Sequence, residues 1–284
     1  MPNTTLITAA ELARHSSNPN WVVLDCRYDL TNPDAGPDAY AAGHIPGAQF
    51  AHLDKDLCDK KLGLNGEFRG RHPLPERDAF IETLRHWGVN HDTQVIAYDA
   101  HGGMFAARLW WMLRWVGHRA VAVLDGGLPA WTARGLPLSS TPASRTPGKL
   151  VDRTALVSTV SAADLVANLA HPVRTVVDAR APDRFRGENE TLDPVGGHIP
   201  GAKNRFFKDN LQADGSFKQP EQLRAEFGAL FGAPETAVMQ CGSGVTACHN
   251  LLALEIAGLP GAALYPSSWS EWCADSLRPV ATGS

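Results

Sequence analysis

The sequence predicts an α/β protein built from two tandem copies of one unit, each a parallel sheet flanked by helices. Three features carry that expectation: a hexapeptide present twice, short apolar runs that recur around it, and helical periodicity between those runs. Gly43-His44-Ile45-Pro46-Gly47-Ala48 returns letter for letter as Gly197-His198-Ile199-Pro200-Gly201-Ala202. An identity of that length, with matching motifs at nearly the same offset upstream, marks an internal repeat.

Upstream of each hexapeptide an apolar run closes on Asp-x-Arg: Trp21-Val22-Val23-Leu24 leads to Asp25 and Arg27, and Thr175-Val176-Val177 to Asp178 and Arg180. Such β-branched, unalternating runs suit strands buried on both faces of a parallel sheet. Downstream, 76–87 and 221–230 have helical apolar spacing. Each leads into a further buried strand, 93–98 and 236–240, and then a third, 120–124 and 262–265. Strands alternating with helices imply a parallel sheet covered on both faces, with ligands at the carboxyl ends of the strands. The Pro/Ser/Thr-rich stretch PLSSTPASRTPGK separates the halves. It sets the expected organisation: a first domain at 1–140, a linker at 141–150 and a second domain at 151–284.

With 284 residues, the chain has room for two cores. Its 44% hydrophobic and 20% charged residues are those of an ordinary globular protein. A net charge of -4 and a pI near 6.2 leave no basic footprint for nucleic acid. The N-terminus lacks the n- and h-regions of a signal peptide and no apolar stretch is long enough to span a bilayer, so a cytoplasmic protein without a membrane partner is expected. Five cysteines without a C-x-x-C pair imply free thiols, with neither a disulfide framework nor a zinc site.

One cysteine stands apart. Cys241 follows the strand 236–240 and precedes an apolar-periodic helix at 247–257, stopped by Gly258 and Pro260. Gly242 and Gly244 permit positive φ, so the N–H groups of residues 242–246 can converge on the sulfur as an anion nest, with the helix dipole behind them. That arrangement favours a thiolate nucleophile. Ser243 and Thr246 add hydroxyl donors. Cys26, Cys58, Cys248 and Cys273 have no comparable loop and read as structural.

Taken together, the Asp-x-Arg strands, both hexapeptides, Cys241-Gly242-Ser243-Gly244-Val245-Thr246-Ala247 and Trp269-Ser270-Glu271-Trp272 resemble a tandem-domain member of the rhodanese superfamily, over almost the whole chain. The cysteine loop is similar to that of mercaptopyruvate sulfurtransferases; thiosulfate sulfurtransferases of this tandem type carry two basic residues after the cysteine. The resemblance implies two rhodanese-like domains and a persulfide on Cys241. It also implies a small anionic sulfur donor, mercaptopyruvate ahead of thiosulfate, and a thiol, cyanide or thioredoxin-like acceptor, with no cofactor. By the same resemblance the donor is bound by loop residues 242–246 and by Arg186, with Arg184 as its competitor. Where some members have a second substrate arginine, this chain has Thr191-Leu192-Asp193-Pro194. His72 is implied to line the site, with Asp54, Asp56 or Asp59 in the acidic position before it. Asp99 stands about where the second half has Cys241; it cannot carry a persulfide, so the first domain is expected to be non-catalytic. His44 and His198, present in both copies, read as turn-shaping.

Two rivals remain at this point. A cysteine phosphatase of related fold needs an arginine six positions after the cysteine, and position 247 is alanine. A non-catalytic persulfide relay is countered by the intact loop and its arginine.

Overall fold

The unalternating apolar runs fold as central parallel strands. In a computed structural model, which describes all residues from Met1 to Ser284, β1 (Leu6–Ile7), β2 (Trp21–Asp25), β3 (Gln49–Phe50), β4 (Gln94–Tyr98) and β5 (Val121–Leu124) form one sheet. Its order is β1-β5-β4-β2-β3, with every pairing parallel. A second sheet, β7-β6-β8-β9, joins β6 (Thr175–Asp178), β7 (Lys203–Asn204), β8 (Ala237–Gln240) and β9 (Ala263–Leu264), again all parallel. All of β4 and β8 is buried, which is why neither run alternates.

The registers of the two sheets correspond. Asp25 pairs with Tyr98 and Asp178 with Gln240, so the next residues, Asp99 and Cys241, leave equivalent strand ends. The expected helices form at Arg77–His86 and Pro220–Gly228, and a buried helix at Ala247–Ile256 follows the Cys241 loop. In the first unit Ile7, Leu12, Val23, Ile96, Leu124 and Trp131 share one core; in the second, Leu165, Val176, Ile199, Val238, Trp269 and Trp272 share another.

By packing, the first unit comprises Met1–Cys58, Pro75–Leu156 and Gln212–Phe217, and the second Asp59–Leu74, Val157–Leu211 and Lys218–Ser284. Two segments therefore belong to the unit opposite their half of the sequence. Residues 141–150 are strapped to the first unit: Arg145 donates to the carbonyl oxygens of Pro19 and Trp21, and Arg85 donates to that of buried Leu150.

The repeated motifs serve this scaffold. Arg27 binds Asp25 at 2.6 Å and donates to Gly43 O at 2.8 Å; Arg180 binds Asp178 at 2.6 Å and donates to Gly197 O at 2.6 Å. Each buried Asp-x-Arg pair thus ties a strand end to the hexapeptide. His44 stacks on Tyr40 and His198 on Phe185, at 3.9 and 3.8 Å between ring centroids. Both histidines shape turns.

Candidate active site

The site grows out of the carboxyl end of β8. Cys241, 2% exposed, receives the Gly244 N–H on its Sγ at 3.1 Å. That bond requires the chain to turn back within three residues, and Gly244 does so at φ 77°. A Cβ on Gly244 would stand 1.9 Å from the carbonyl oxygen of Pro266, so position 244 admits only glycine. The loop is clamped from the other side by the turn into the helix Ser268–Trp272. Ser268 Oγ accepts from Cys241 N–H at 3.1 Å, while Trp269 and Ser270 donate their N–H groups to the carbonyl oxygens of Cys241 and Gly242 at 3.0 and 2.9 Å. Ser268 holds φ 56°, a strained value for a residue with a side chain, at the point where it caps the nucleophile's own N–H.

Ser243 and Val245 are buried, and Thr246, half-buried, immediately precedes the helix Ala247–Ile256. His72 is brought to the loop: its Nδ1 lies 2.7 Å from Ser243 Oγ, and both residues are 5% exposed. It arrives with the segment Asp59–Leu74, which packs in the same unit as Cys241. Of the candidate acids before it, Asp59 pairs with Arg69 at 2.7 Å, Asp56 accepts the His52 N–H at 2.7 Å, and Asp54 accepts from the Tyr28 hydroxyl.

Arg186 is placed elsewhere. Its side chain is 38% exposed and forms a two-pronged pair with Glu188, at 2.8 and 2.7 Å. Arg184, two residues earlier on the helix Pro182–Arg186, faces the loop instead: its Nη2 and Nη1 lie 3.6 and 3.8 Å from where a Cβ on Gly242 would stand. Positions two apart point to different sides of a helix, so only one of these arginines can reach Cys241's neighbour. Glu190 holds Arg184 at 2.7 Å, and Asp193 lies 3.4 Å from it. Burial raises the Glu190 carboxyl, but hydrogen bonds from Arg184 and from the Leu192 and Asp193 N–H groups outweigh it, leaving the group below the usual carboxylate range.

Sequence reasoning missed one contributor, Arg71. Arg71 donates its backbone N–H to Ser270 Oγ at 3.1 Å and ion-pairs with Asp193. Buried Arg180 lies 4.6 Å from the centre of the Trp269 ring and 3.4 Å from Glu190. The signal for Arg71 was its adjacency to His72 in Arg69-Gly70-Arg71-His72, where Gly70 at φ 95° lets the backbone approach Ser267.

In the first unit the same loop is self-occupied. Asp99 is fully buried, and its carboxylate accepts four backbone N–H groups: His101 and Gly103 on Oδ1 at 2.8 and 2.9 Å, Phe105 and Ala106 on Oδ2 at 2.9 and 3.0 Å. The carboxylate takes up these N–H donors itself, and the first unit presents no thiol there.

The loop geometry, the two sheets and the repeat define a class. The chain belongs to the rhodanese-like domain family, whose model matches residues 8–134 and 161–275. It is 49% identical, over the whole of both chains, to a Pseudomonas aeruginosa protein described as a probable 3-mercaptopyruvate sulfurtransferase. It is 35% identical to the thiosulfate sulfurtransferase of Bos taurus, over 89% of this chain and 85% of that one. Among solved structures, 3-mercaptopyruvate sulfurtransferase from Leishmania major superposes with a TM-score of 0.85 at 31% identity, covering 98% of this chain and 76% of that one. No helix is long and apolar enough to cross a membrane, and all five cysteines are buried thiols outside any disulfide.

Proposed function

We propose that this protein is a sulfurtransferase that moves a sulfur atom from 3-mercaptopyruvate to a thiol or cyanide acceptor through a persulfide on Cys241. The observation that carries the reading is the thiol of Cys241 at a strand end, its Sγ engaged by the Gly244 N–H at 3.1 Å, with a guanidinium beside the next residue. The full-length likeness to the Pseudomonas aeruginosa relative supports the same donor.

The chemistry balances without a cofactor. The Cys241 thiolate attacks the donor sulfur, and the carbon–sulfur bond breaks with its electron pair passing into the adjacent carbonyl. Pyruvate departs as the enolate and takes a proton. The transferred sulfur remains on Cys241 as a persulfide anion near the loop N–H groups, until an acceptor thiolate or cyanide attacks the outer sulfur and returns the thiolate. Arg184, rather than Arg186, suits the donor carboxylate because it faces Gly242. The Ser243 hydroxyl, backed by His72, stands at the loop to polarise the carbonyl. A thioredoxin-like acceptor and a cytoplasmic setting fit a chain whose five cysteines form no disulfide.

Incubation with mercaptopyruvate is expected to add one sulfur to the mass of the protein, and Cys241→Ser to lose both that adduct and turnover. Neutral Gly242 and Ser243 leave room for the carbonyl, so kcat/KM for mercaptopyruvate is expected to exceed that for thiosulfate by about tenfold or more. Retained turnover in Cys241→Ser would remove the persulfide from the account.

A further inference from the structure

The residue before the nucleophile carries an amide that the protein itself does not satisfy. Gln240 is fully buried, and neither its Nε2 nor its Oε1 is hydrogen-bonded to another group of the protein. Burying an amide without partners costs stability, and an apolar side chain of the same length would avoid that cost. The amide therefore points to a ligand.

The internal repeat shows where that ligand belongs. Gln240 pairs with Asp178 in the second sheet as Tyr98 pairs with Asp25 in the first. Side chains two apart on a strand share a face, so Gln240 lies on the face of Val238, which packs with Ile199 and Trp272; Tyr98 lies with Ile96, Ile45 and Trp131. In the first unit the Tyr98 hydroxyl bridges two repeated motifs: it donates to Asp25 Oδ2 at 2.7 Å and accepts the Ile45 N–H at 3.2 Å. That ties the strand end to the hexapeptide a second time, beside the Asp25–Arg27 pair. Both motifs recur at Asp178 and Ile199, and Arg180 binds Asp178 as Arg27 binds Asp25. The bridging hydroxyl does not recur: position 240 is glutamine, and the Tyr265 hydroxyl donates to Glu271. A glutamine amide ends short of the place that a tyrosine hydroxyl reaches from the same strand position.

We propose that the Gln240 amide holds one buried water molecule, which stands where the first unit has its tyrosine hydroxyl and joins Gln240 to Asp178 and to the Ile199 N–H. The chemistry selects water. The ligand must donate to a carboxylate and accept from an N–H, as the Tyr98 hydroxyl does, and must also meet an amide that offers both roles. A cation would face the Arg180 guanidinium and an N–H; an anion would face Asp178. A buried place with several polar partners of both kinds is one that retains an internal water. The non-catalytic unit closes this junction with its own side chain, and the catalytic unit closes it with an exchangeable ligand one residue before Cys241.

The test needs no turnover, so its outcome is independent of the sulfurtransferase reading. A high-resolution crystal structure of the full-length protein is expected to show one water within hydrogen-bond distance of both the Gln240 amide and the Asp178 carboxylate. Gln240→Met keeps the length and removes both polar atoms. It is expected to lose that water and to lower the melting temperature by about 3 °C or more, because Asp178 and the Ile199 N–H lose a partner. Gln240→Tyr, which brings in the first unit's hydroxyl, is expected to recover most of that loss and to place the hydroxyl at the position of the water. Two results overturn the proposal. One is a crystal structure with no water at hydrogen-bond distance from the Gln240 amide; the other is a Gln240→Met protein as stable as the parent or more so, as expected when an amide without partners is removed.

Discussion

His72 Nδ1 and Ser243 Oγ lie 2.7 Å apart, joining residues 171 positions apart in sequence into one buried hydrogen-bonded pair. The pair fixes the hydroxyl on the loop that carries Cys241. His72→Ala and Ser243→Ala are each expected to lower kcat for mercaptopyruvate about tenfold with little change in KM, and the double variant to be no worse than either. Losses that multiply in the double variant would show that the two residues act separately.

Gly244 offers a sharper test of the loop. Its φ of 77° and the 1.9 Å approach of a would-be Cβ to Pro266 O mean that even alanine forces the backbone to move. Gly244→Ala is expected to cost about 2–4 kcal/mol of stability and to lower kcat/KM more than about tenfold, because the N–H now on Sγ is displaced. Urea unfolding and steady-state rates on the same preparation read both effects.

Asp99 should behave as a structural residue of unusual weight. Removing its carboxylate leaves four backbone N–H groups without their acceptor in a buried loop. Asp99→Ala is expected to destabilise the protein by about 3–5 kcal/mol, and Asp99→Asn by less, since one oxygen remains to accept. A change below about 1 kcal/mol in Asp99→Ala would show that the loop finds other partners.

The acid limb of stability should report on Glu190. Its folded pKa is lowered, against the pull of burial, by Arg184 and the Leu192 and Asp193 N–H groups. A depressed carboxylate stabilises the fold above its unfolded pKa of about 4.3, and that contribution is lost as pH falls through the lower folded value. Melting temperature is therefore expected to drop below about pH 4.5, with a shallower drop in Glu190→Gln. An unchanged acid limb in the variant would assign the drop to other carboxylates.

Much of the architecture was legible because burial leaves a mark on each element's own residues. The runs at Trp21–Asp25 and Thr175–Asp178 are strands with the expected bounds, and the two sheets are parallel as unalternating runs require. The elements blurred only at their ends: the third strand expected at 262–265 narrows to Ala263–Leu264, since a strand end is set by its neighbour's hydrogen bonds and not by its own polarity.

The sequence by itself determined the twofold repeat, the parallel sheets, the position of Cys241 at a strand end and the glycine that its loop demands, because each is written in local periodicity or in a residue's own backbone freedom. Which side chains surround Cys241 was decided by tertiary structure. Arg184 and Arg186 differ by two positions on one short helix, and nothing local says which side of that helix meets the loop. Arg71 and His72 enter with a segment whose packing places it in the second unit, and Asp193 gains its role only when Arg71 is beside it. Charged side chains at loops carry no periodic signature; their direction follows from the contacts made after the chain has folded.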